Sequence, residues 1–446
     1  MPEGIITDYD DELNGILVDE RHLKVAVPGA IMDEKIHYHI EHVSPHQPKA
    51  WGRCDGLVLA SPNRIKPPCR YSWPTSGACC GCPLMHIHAS YQDELKKMLV
   101  SRALNQAGIN YIRHFEYHHA PELLHYRNRT DLVAAEMRGR FVLGSYKNRS
   151  HDIVPVRTCA ILRPPLNQVI SFIVETANRL GIPAARQGTQ LSGAIRYVSL
   201  FANDQGKVLV DLVCKSATGE KPAWLNRFAH ELMTFKVIRG ISWSRNDSPN
   251  NAIRVEPSSV VWGERRLPEH HHQIVSYFSA SGFTQLNSDI AAEIYETARS
   301  WLPGSPDIVW DLYCGAGAFG RTIQPIRALY GAEFNEPAID AARLASEHDP
   351  FETHFEVIDL EKNWPNHWPQ PNVVLIDPPR KGMSKLMIQK LLMSQIPTLI
   401  YMSCNPVTFA QNAASLSSNY TIERFEAFDM MPQTRHVEVL GLLKRR

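Results

Sequence analysis

Short, largely apolar runs in the last third of the chain end abruptly at polar or turn-forming residues. Examples are Ile308–Leu312, Val373–Ile376 and Leu399–Met402. Runs of this length between turn signals are typical of buried strands. The run at 308 leads into a glycine-rich turn and a helix, the order found in open parallel sheets. We therefore predict an α/β, doubly wound, Rossmann-like domain over residues 271–446, with ligands at the carboxyl edge of its sheet.

The first sixty residues have a different pattern, in which short β-like runs are separated by turns. Leu23–Val27 is mostly apolar, and Lys35–Ile40 alternates polar and apolar residues. Short strands at this spacing predict a small β-barrel over residues 1–62, a shape often used to bind nucleic acid. His37, His39 and His42 could bind a metal, but we interpret them as outward polar positions of a strand.

Residues 63–270 are predicted to form a mixed α+β central domain. The pattern from 90 to about 100 is helical, and the strands beyond it carry basic residues such as Arg127 and Arg129, with Tyr126 and Tyr146 interleaved. Arginine and aromatic side chains together suit RNA binding. A solvated sheet face explains the pattern equally well, so both interpretations stay open. The histidine run at 270–272 is interpreted as solvated surface.

Composition and charge narrow the class of protein. The chain has 446 residues and a formal net charge of +1, so several domains are expected and a nucleic-acid site would be a local basic patch. The start of the chain lacks the pattern of a signal peptide, and no apolar run is long enough to cross a bilayer. We expect a cytoplasmic protein without a membrane partner, monomeric by default, whose cysteines are metal ligands, catalytic groups or buried thiols.

Cysteines cluster between residues 69 and 82. Cys79 and Cys82 are spaced so that one turn can direct both sulfurs at the same metal, and Cys69 can supply a third ligand. Cys159 is the candidate for the fourth ligand. Spacing alone leaves zinc and an iron–sulfur cluster open, and unrelated reduced thiols are the alternative. Cys80 is interpreted as a bystander that could replace Cys79.

The glycine-rich turn after the run at 308 predicts a nucleotide site. Gly315, Gly317 and Gly320 allow a tight turn and a close approach of backbone amides to a ligand. Glu333, at the end of the next apolar run, could accept hydrogen bonds from ribose hydroxyls. This pattern fits NAD and S-adenosylmethionine equally well.

Two later strand ends and one further strand add candidate chemistry. Asp377 and Cys404 each follow an apolar run, and on neighbouring strands they would lie roughly 5 Å apart. Cys404 could act as a nucleophile, although a buried cysteine can also be a simple core residue. Glu438 lies in an apolar strand, where burial would raise its pKa and suit it to proton transfer. The alternative for Glu438 is an edge ion pair with Arg435 or Lys444.

Five segments in this order resemble the RNA uracil-5 methyltransferases that depend on S-adenosylmethionine. The whole chain is similar to their iron–sulfur members, which act on 23S ribosomal RNA or tRNA and have an N-terminal TRAM barrel. The matching segments are Phe283–Asn287, Asp311–Gly317, Asp377–Gly382, Ser403–Pro406 and His436–Glu438.

The resemblance implies a role for each matching residue. Cys404 is similar to the nucleophile that attacks C6 of the uracil ring, and Glu438 to the base that removes the C5 proton. The implied contacts of S-adenosylmethionine are Gln285, Tyr313, Glu333 and Asp377, with Asp359 as a further contact. The implied ligands of a 4Fe-4S cluster are Cys69, Cys79, Cys82 and Cys159. The expected partner is 23S ribosomal RNA, with tRNA as the alternative.

The sequence departs from the family pattern at two places. The gap between Cys69 and Cys79 is wider than usual, and Ala318 stands where some members have asparagine. Two other functions also stay open. Some N-methyltransferases carry a motif like the one at Asp377, but usually with an aromatic residue where Arg380 stands. A non-catalytic RNA-binding or assembly factor could retain the fold without using it.

Overall fold

The computed structural model describes residues 1–72, 79–147, 150–185, 193–216, 219–250, 252–302 and 304–446. The chain forms two compact units. The first comprises Met1–Arg102, Tyr146–Val154 and Met431–His436, and the second comprises Ala103–Ser145, Pro155–Met430 and Val437–Arg446. The three-domain division expected from the sequence stays a prediction. Among the described residues, no helix combines the length and the apolar character needed to cross a membrane.

The first unit is built on a curled, barrel-like sheet. Its strands are β1 (Glu3–Ile5), β2 (Asp8–Tyr9), β3 (Gly15–Val18), β4 (Lys24–Val27), β5 (Lys35–Val43) and β6 (Lys49–Leu59), and they are followed by α1 (Ala89–Gln106). The strand order is β1-β5-β6-β4-β3-β2. Ile36 and Tyr38 of β5 are buried, which confirms the predicted alternation. Helix α1 confirms the helical pattern, and its Leu95 packs against Tyr9 and Ile31.

The central part of the chain contributes a mixed sheet with two helices. Its elements are β7 (Glu116–His118), β8 (Arg129–Met137), β9 (Arg140–Tyr146), β10 (Ile153–Pro155), α2 (Pro164–Leu180), β11 (Ile195–Ala202), β12 (Val208–Cys214), α3 (Leu225–Leu232), β13 (Ile238–Arg245) and β14 (Ser259–Gly263). Within the second unit, this sheet runs in the order β9-β8-β11-β12-β13-β14, whereas β7 belongs to the eight-stranded sheet of the last part of that unit. Apolar residues of α2, such as Leu166 and Ile170, are fully buried in its core. We refer to this region of the second unit as the central sheet.

The last part of the second unit forms the predicted open sheet. Its elements are β15 (Leu267–His271), β16 (Ile274–Phe278), α4 (Ser288–Ser300), β17 (Ile308–Leu312), α5 (Ala318–Thr322), β18 (Ala328–Glu333), α6 (Glu336–Ser346), β19 (Glu352–Val357), β20 (Val373–Ile376), α7 (Lys385–Met393), β21 (Thr398–Ser403), α8 (Pro406–Leu416), β22 (Tyr420–Phe428) and β23 (Glu438–Arg445).

Eight strands make this sheet, in the order β19-β18-β17-β20-β21-β23-β22-β7. The five strands from β19 to β21 are mutually parallel, whereas β23 runs antiparallel to both β21 and β22. The order reverses at β17, so the crevice that binds ligands in doubly wound sheets lies beyond the carboxyl ends of β17 and β20. The predicted Rossmann-like fold is confirmed. The antiparallel strand β23, inserted between β21 and β22, distinguishes it from the dinucleotide-binding order of six parallel strands.

Candidate active site

Cys404 lies at the turn between β21 and α8. The strand is fully buried, and the next residue, Asn405, caps the helix by accepting a hydrogen bond from the backbone N–H of Val407 at 3.1 Å. Pro406 occupies the first turn of the helix, where its missing N–H costs nothing. This local sequence therefore ends the strand one residue before the cysteine and leaves the Cys404 side chain half-buried at the carboxyl edge of the sheet.

Asp377 follows the neighbouring strand β20, as the sequence predicts. Ile376 of β20 pairs with Tyr401 of β21 in parallel register. The Asp377 carboxylate accepts a hydrogen bond from Nε2 of Gln285 at 3.2 Å. Two predicted site residues from segments about ninety positions apart in sequence are thus in direct contact.

Glu438 is the first residue of β23 and lies in the sheet interior. Ser403 pairs with Val439 in antiparallel register, so Cys404 and Glu438 occupy the next opposed positions of the two strands. The Glu438 side chain is only 4% exposed. The edge ion pair considered for this residue is therefore wrong: Lys444 instead donates to the Thr398 hydroxyl, and Arg435 pairs with Glu12.

The glycine-rich turn connects β17 to α5. Gly317 has φ +74° and caps α5, and a Cβ atom there would approach the Phe355 ring to 2.9 Å. The position therefore requires glycine on both grounds. Tyr313, just before this turn, has φ +65°, a strained conformation for a non-glycine residue that is frequent at functional sites. Glu333 accepts hydrogen bonds from the backbone N–H groups of Gly315 and Asn335.

A cavity of about 730 Å³ joins these residues. This volume lies within the range of roughly 300–1,000 Å³ that is usual for small-molecule sites. All six catalytic and cofactor-binding residues predicted from the sequence line it, and so does Asp359. The six residues are Gln285, Tyr313, Glu333, Asp377, Cys404 and Glu438.

Several carboxyl groups lie buried together in the cavity, and burial dominates their electrostatics. Desolvation, reinforced by the charge of Asp311, raises the pKa of Asp377 to about 8. Desolvation also raises the pKa of Asp311 to about 7, and the pKa of Glu438 is raised by burial and by Asp377. Burial, followed by the charges of Glu438 and Asp377, raises the pKa of Cys404 to about 12. The resting cysteine is therefore a thiol.

Residues in and beside the central sheet, of which Asn128 and Arg254 were not singled out from the sequence, hold the segment that carries Gln285. The fully buried Asn128 donates from its side chain to the carbonyl of Gln285 at 2.8 Å and from its backbone to the carbonyl of Leu286 at 3.0 Å. Arg129 and Arg254 both donate to the carbonyl of Ala280, at 2.8 and 3.1 Å. The outward, RNA-facing position considered for Arg129 is wrong, because this side chain is buried.

Three further cavity residues escaped the sequence analysis. Phe283 and Phe334 are large apolar residues that are 72% and 71% exposed, and both line the cavity. The interpretation of residues 270–272 as solvated surface is wrong for His271, which is 5% exposed and also lines the cavity. His270, by contrast, is exposed and contacts Asp204. Strand β15 alternates inward and outward positions, but three histidines in a row give no sequence signal of which positions face inward.

The predicted metal ligands fall in both units. Cys69, Cys79 and Cys82 belong to the first unit, and Cys159 belongs to the second, where it packs against the central-sheet core. No disulfide is formed by any of the nine cysteines in the part of the chain that the structure describes. The Cys79 sulfur accepts a hydrogen bond from the backbone N–H of Gly81 at 3.4 Å. The four-cysteine site stays a prediction.

Another cluster with potential ligand atoms lies at the β7–β22 edge. Ligand atoms of Glu116, His118 and Glu426 lie within 4.8 Å of one another. However, both His118 nitrogens already contact carboxylates, Nδ1 with Glu293 and Nε2 with Glu426, each at 2.7 Å. The histidine therefore acts as an ion-pair partner between strands and helix α4.

Fold and cavity together define the kind of architecture. The sheet with its antiparallel β23 and the crevice beside the glycine-rich turn form a Rossmann-like domain with a small-molecule cavity at the carboxyl edge of its sheet. A solved structure of tRNA (uracil-54, C5)-methyltransferase from Pyrococcus abyssi, in complex with S-adenosyl-L-homocysteine, has the same fold over 99% of both chains, with a TM-score of 0.78 and 24% identity.

Residues 365–446 match the family model described as tRNA (uracil-5-)-methyltransferase. A Staphylococcus epidermidis protein described as an uncharacterized RNA methyltransferase is 28% identical over 99% of this chain and 97% of its own length. One from Enterococcus faecalis is 27% identical over 96% and 94%. The family model, the relatives and the shared fold agree with the resemblance of the motifs to the RNA uracil-5 methyltransferases.

Proposed function

We propose that this protein transfers a methyl group from S-adenosylmethionine to C5 of a uridine in RNA through a covalent adduct on Cys404. The observation that carries the proposal is the opposition of Cys404 and Glu438 on neighbouring strands inside one cavity. A nucleophile and a buried base that line one cavity can add to a pyrimidine ring and then deprotonate it. The target uridine must be unstacked to enter the cavity.

The residues divide the chemistry into two steps. The Cys404 thiolate would bond to C6 of uracil, which moves the C5–C6 π electrons onto C5 so that C5 can attack an electrophile. S-adenosylmethionine supplies that electrophile as its sulfonium methyl group. Glu438 would then take the C5 proton, the released electron pair would re-form the C5–C6 double bond, and the bond from sulfur to C6 would break.

The electrostatics of the cavity favour removal of the C5 proton by Glu438 more than attack of Cys404 on C6. A raised carboxyl pKa makes Glu438 a stronger base once it is ionised. A Cys404 pKa of about 12 means that thiolate must form as the substrate binds. Arg380, which lowers this pKa and lines the cavity, is the charge available to assist.

The fit to S-adenosylmethionine rests on complementary groups along the cavity. Glu333 is placed to accept hydrogen bonds from ribose hydroxyls, and Phe334 offers an exposed ring beside it. One oxygen of the buried Asp311 and both nitrogens of His271 lack a hydrogen-bond partner among the described residues. We propose Gln285, Tyr313, Glu333 and Asp377 as the cofactor contacts.

We also propose that Cys69, Cys79, Cys82 and Cys159 hold a 4Fe-4S cluster. The support is their freedom from disulfides in the described part of the chain and the resemblance to iron–sulfur members. Thiolate ligands from distant segments would stabilise the chain fold around them. A brown preparation with acid-labile sulfide is expected, whereas a colourless protein loaded with zinc would contradict the cluster.

For the RNA substrate, we propose 23S ribosomal RNA, on the resemblance to iron–sulfur members. A second candidate is tRNA, favoured by the description of the matching family and by the Pyrococcus abyssi enzyme. Mass-spectrometric mapping of 5-methyluridine in both RNAs, from cells with and without the gene, decides between them.

The deciding experiment for the mechanism uses two substitutions and labelled methyl transfer. Cys404→Ala should bind S-adenosylhomocysteine but transfer no methyl. Glu438→Gln should lower turnover by about 10²–10⁴-fold and accumulate a covalent RNA adduct on a denaturing gel. Cys314→Ala, which removes a second cavity thiol, should still form the adduct.

Three outcomes would contradict the mechanism. They are a fully active Cys404→Ala, an adduct that survives that substitution, or methylation of an exocyclic amine, as an N-methyltransferase would produce. An RNA-binding or assembly factor would transfer no methyl to any RNA, even as the wild-type protein.

A further inference from the structure

His271 is a buried polar side chain that the proposed chemistry does not use. It is 5% exposed at the end of β15 and lines the large cavity. Its ring lies edge-on to Phe278 and Tyr295, at centroid distances of 6.2 and 6.1 Å. Neither ring nitrogen has a hydrogen-bond partner among the described residues. A buried polar group without a partner costs about 1–3 kcal/mol, so such a group in a cavity points to a ligand.

The protonation state of His271 limits what it can bind. Burial lowers its pKa to about 4, so the ring is neutral near pH 7. A neutral imidazole has one N–H donor and one acceptor nitrogen. Its complement is a ligand that carries both an acceptor and a donor.

The layout of the cavity indicates which part of the cofactor reaches His271. The sulfonium of S-adenosylmethionine has three substituents: the methyl group, the ribose, and a chain ending in an amino group and a carboxylate. If the ribose lies at Glu333 and the methyl group faces Cys404 and Glu438, two of the three substituents of the sulfonium are assigned to parts of the cavity. Another part of the lining contains His271, Tyr295 and Phe319, and of these only His271 has buried polar atoms without a hydrogen-bond partner among the described residues.

We propose that His271 binds the amino-acid end of S-adenosylmethionine, donating to its carboxylate or accepting from its amino group. The inference rests on the proposed use of this cofactor and assigns a positioning role to His271, because holding the amino-acid chain fixes the direction of the sulfonium. The neighbouring rings of Tyr295 and Phe319, stacked at 5.0 Å, provide an apolar wall in which such a hydrogen bond is strong.

Ligands that differ only in this chain test the proposal. Binding of S-adenosylhomocysteine and of 5′-methylthioadenosine, which lacks the amino-acid end, is measured by calorimetry for the wild type and His271→Phe. Phenylalanine keeps an aromatic ring between Phe278 and Tyr295 but removes both nitrogens. The affinity for S-adenosylhomocysteine should fall about tenfold, while that for 5′-methylthioadenosine stays unchanged. His271→Asn, which retains a donor and an acceptor, should recover part of the loss.

The outcomes separate the two proposals. An unchanged affinity of His271→Phe for S-adenosylhomocysteine, or an equal loss for both ligands, overturns the role of His271. If the wild-type protein fails to bind S-adenosylhomocysteine at all, the proposed function itself is overturned. Should His271→Phe unfold, His271→Leu, which also lacks both nitrogens, gives the same comparison between the two ligands.

Discussion

The cavity and the central sheet both bury carboxyl groups, but they treat the charge in opposite ways. In the cavity, Asp377 has an amide partner in Gln285, and its pKa is raised to about 8. In the central sheet, Asp131 accepts a hydrogen bond from Arg254 at 2.8 Å and lies near Arg129, so its pKa is lowered despite burial. Around Asp131 the central sheet therefore compensates the buried charge, although burial still raises the pKa of Asp211 in β12. The buried carboxyl group of Asp377 has no such cation beside it among the described residues, and a cationic ligand could use it.

The buried polar residues in and beside the central sheet also position the segment that contacts the buried carboxyl group of the cavity. Arg129 and Arg254 hold the carbonyl of Ala280, and Asn128 holds the carbonyl of Gln285. The segment between these anchors carries the side chain that contacts Asp377. Rigid support behind a reactive group is what precise catalytic geometry requires.

The largest effect is expected from breaking the compensated network. Arg129→Met removes a buried cation beside Asp131, so it should lower the free energy of unfolding by about 3–5 kcal/mol in urea denaturation. The matched control is Arg140→Met on the exposed end of β9, which should change it by less than about 0.5 kcal/mol. Similar values for the two variants would show that Arg129 is not essential to the network.

In the cavity, removing a charge should have the opposite effect on stability. Because the pKa of Asp377 is raised in the folded state, its carboxyl stabilises the fold below its unfolded pKa, near 4, and this contribution is lost as pH rises through about 8. Asp377→Asn should therefore raise the free energy of unfolding at pH 8 by about 0.5–2 kcal/mol while methyl transfer falls.

Urea denaturation of Asp377→Asn at pH 5 and pH 8 provides the measurement. The gain in stability should be smaller at pH 5, where the wild-type carboxyl is largely protonated. A variant that is less stable than the wild type at pH 8 would contradict the contrast between the two regions.

The sequence predicted the residues that line the cavity better than the residues that hold them in place. Strand ends are local signals, so Asp377 and Cys404 could be assigned to one sheet edge from the apolar runs before them. Burial of Glu438 followed from its apolar neighbours. The partner of Arg129 is the carbonyl of Ala280, 151 positions away, and no local pattern reports such a contact. From sequence alone an arginine on a strand is predicted to be exposed, because its long-range partner is not known.

His271 was misassigned for a related reason. In a run of three histidines the alternation of a strand cannot be read from residue type, so the inward position was not distinguished from its neighbours. The four cysteines show a third situation. Their spacing predicts a metal site, but the ligand set depends on distances between remote segments.

The smallest predicted effect concerns His118. This side chain is half-buried, and both of its ring nitrogens contact carboxylates. Each nitrogen contacts a carboxylate at 2.7 Å, which requires both N–H groups and hence the protonated ring. Burial alone lowers its pKa, but hydrogen bonds to Glu426 and Glu293 outweigh burial and raise it. The ion pairs of His118 with Glu293 and Glu426 stabilise the fold below pH 6.5, and this contribution is lost as pH rises through the raised pKa of His118.

His118→Gln should therefore destabilise the protein by at most about 1 kcal/mol at pH 6 and by less at pH 9. Urea denaturation at both pH values, with the exposed His348→Gln as control, tests this; a larger loss at pH 9 would contradict a protonated His118.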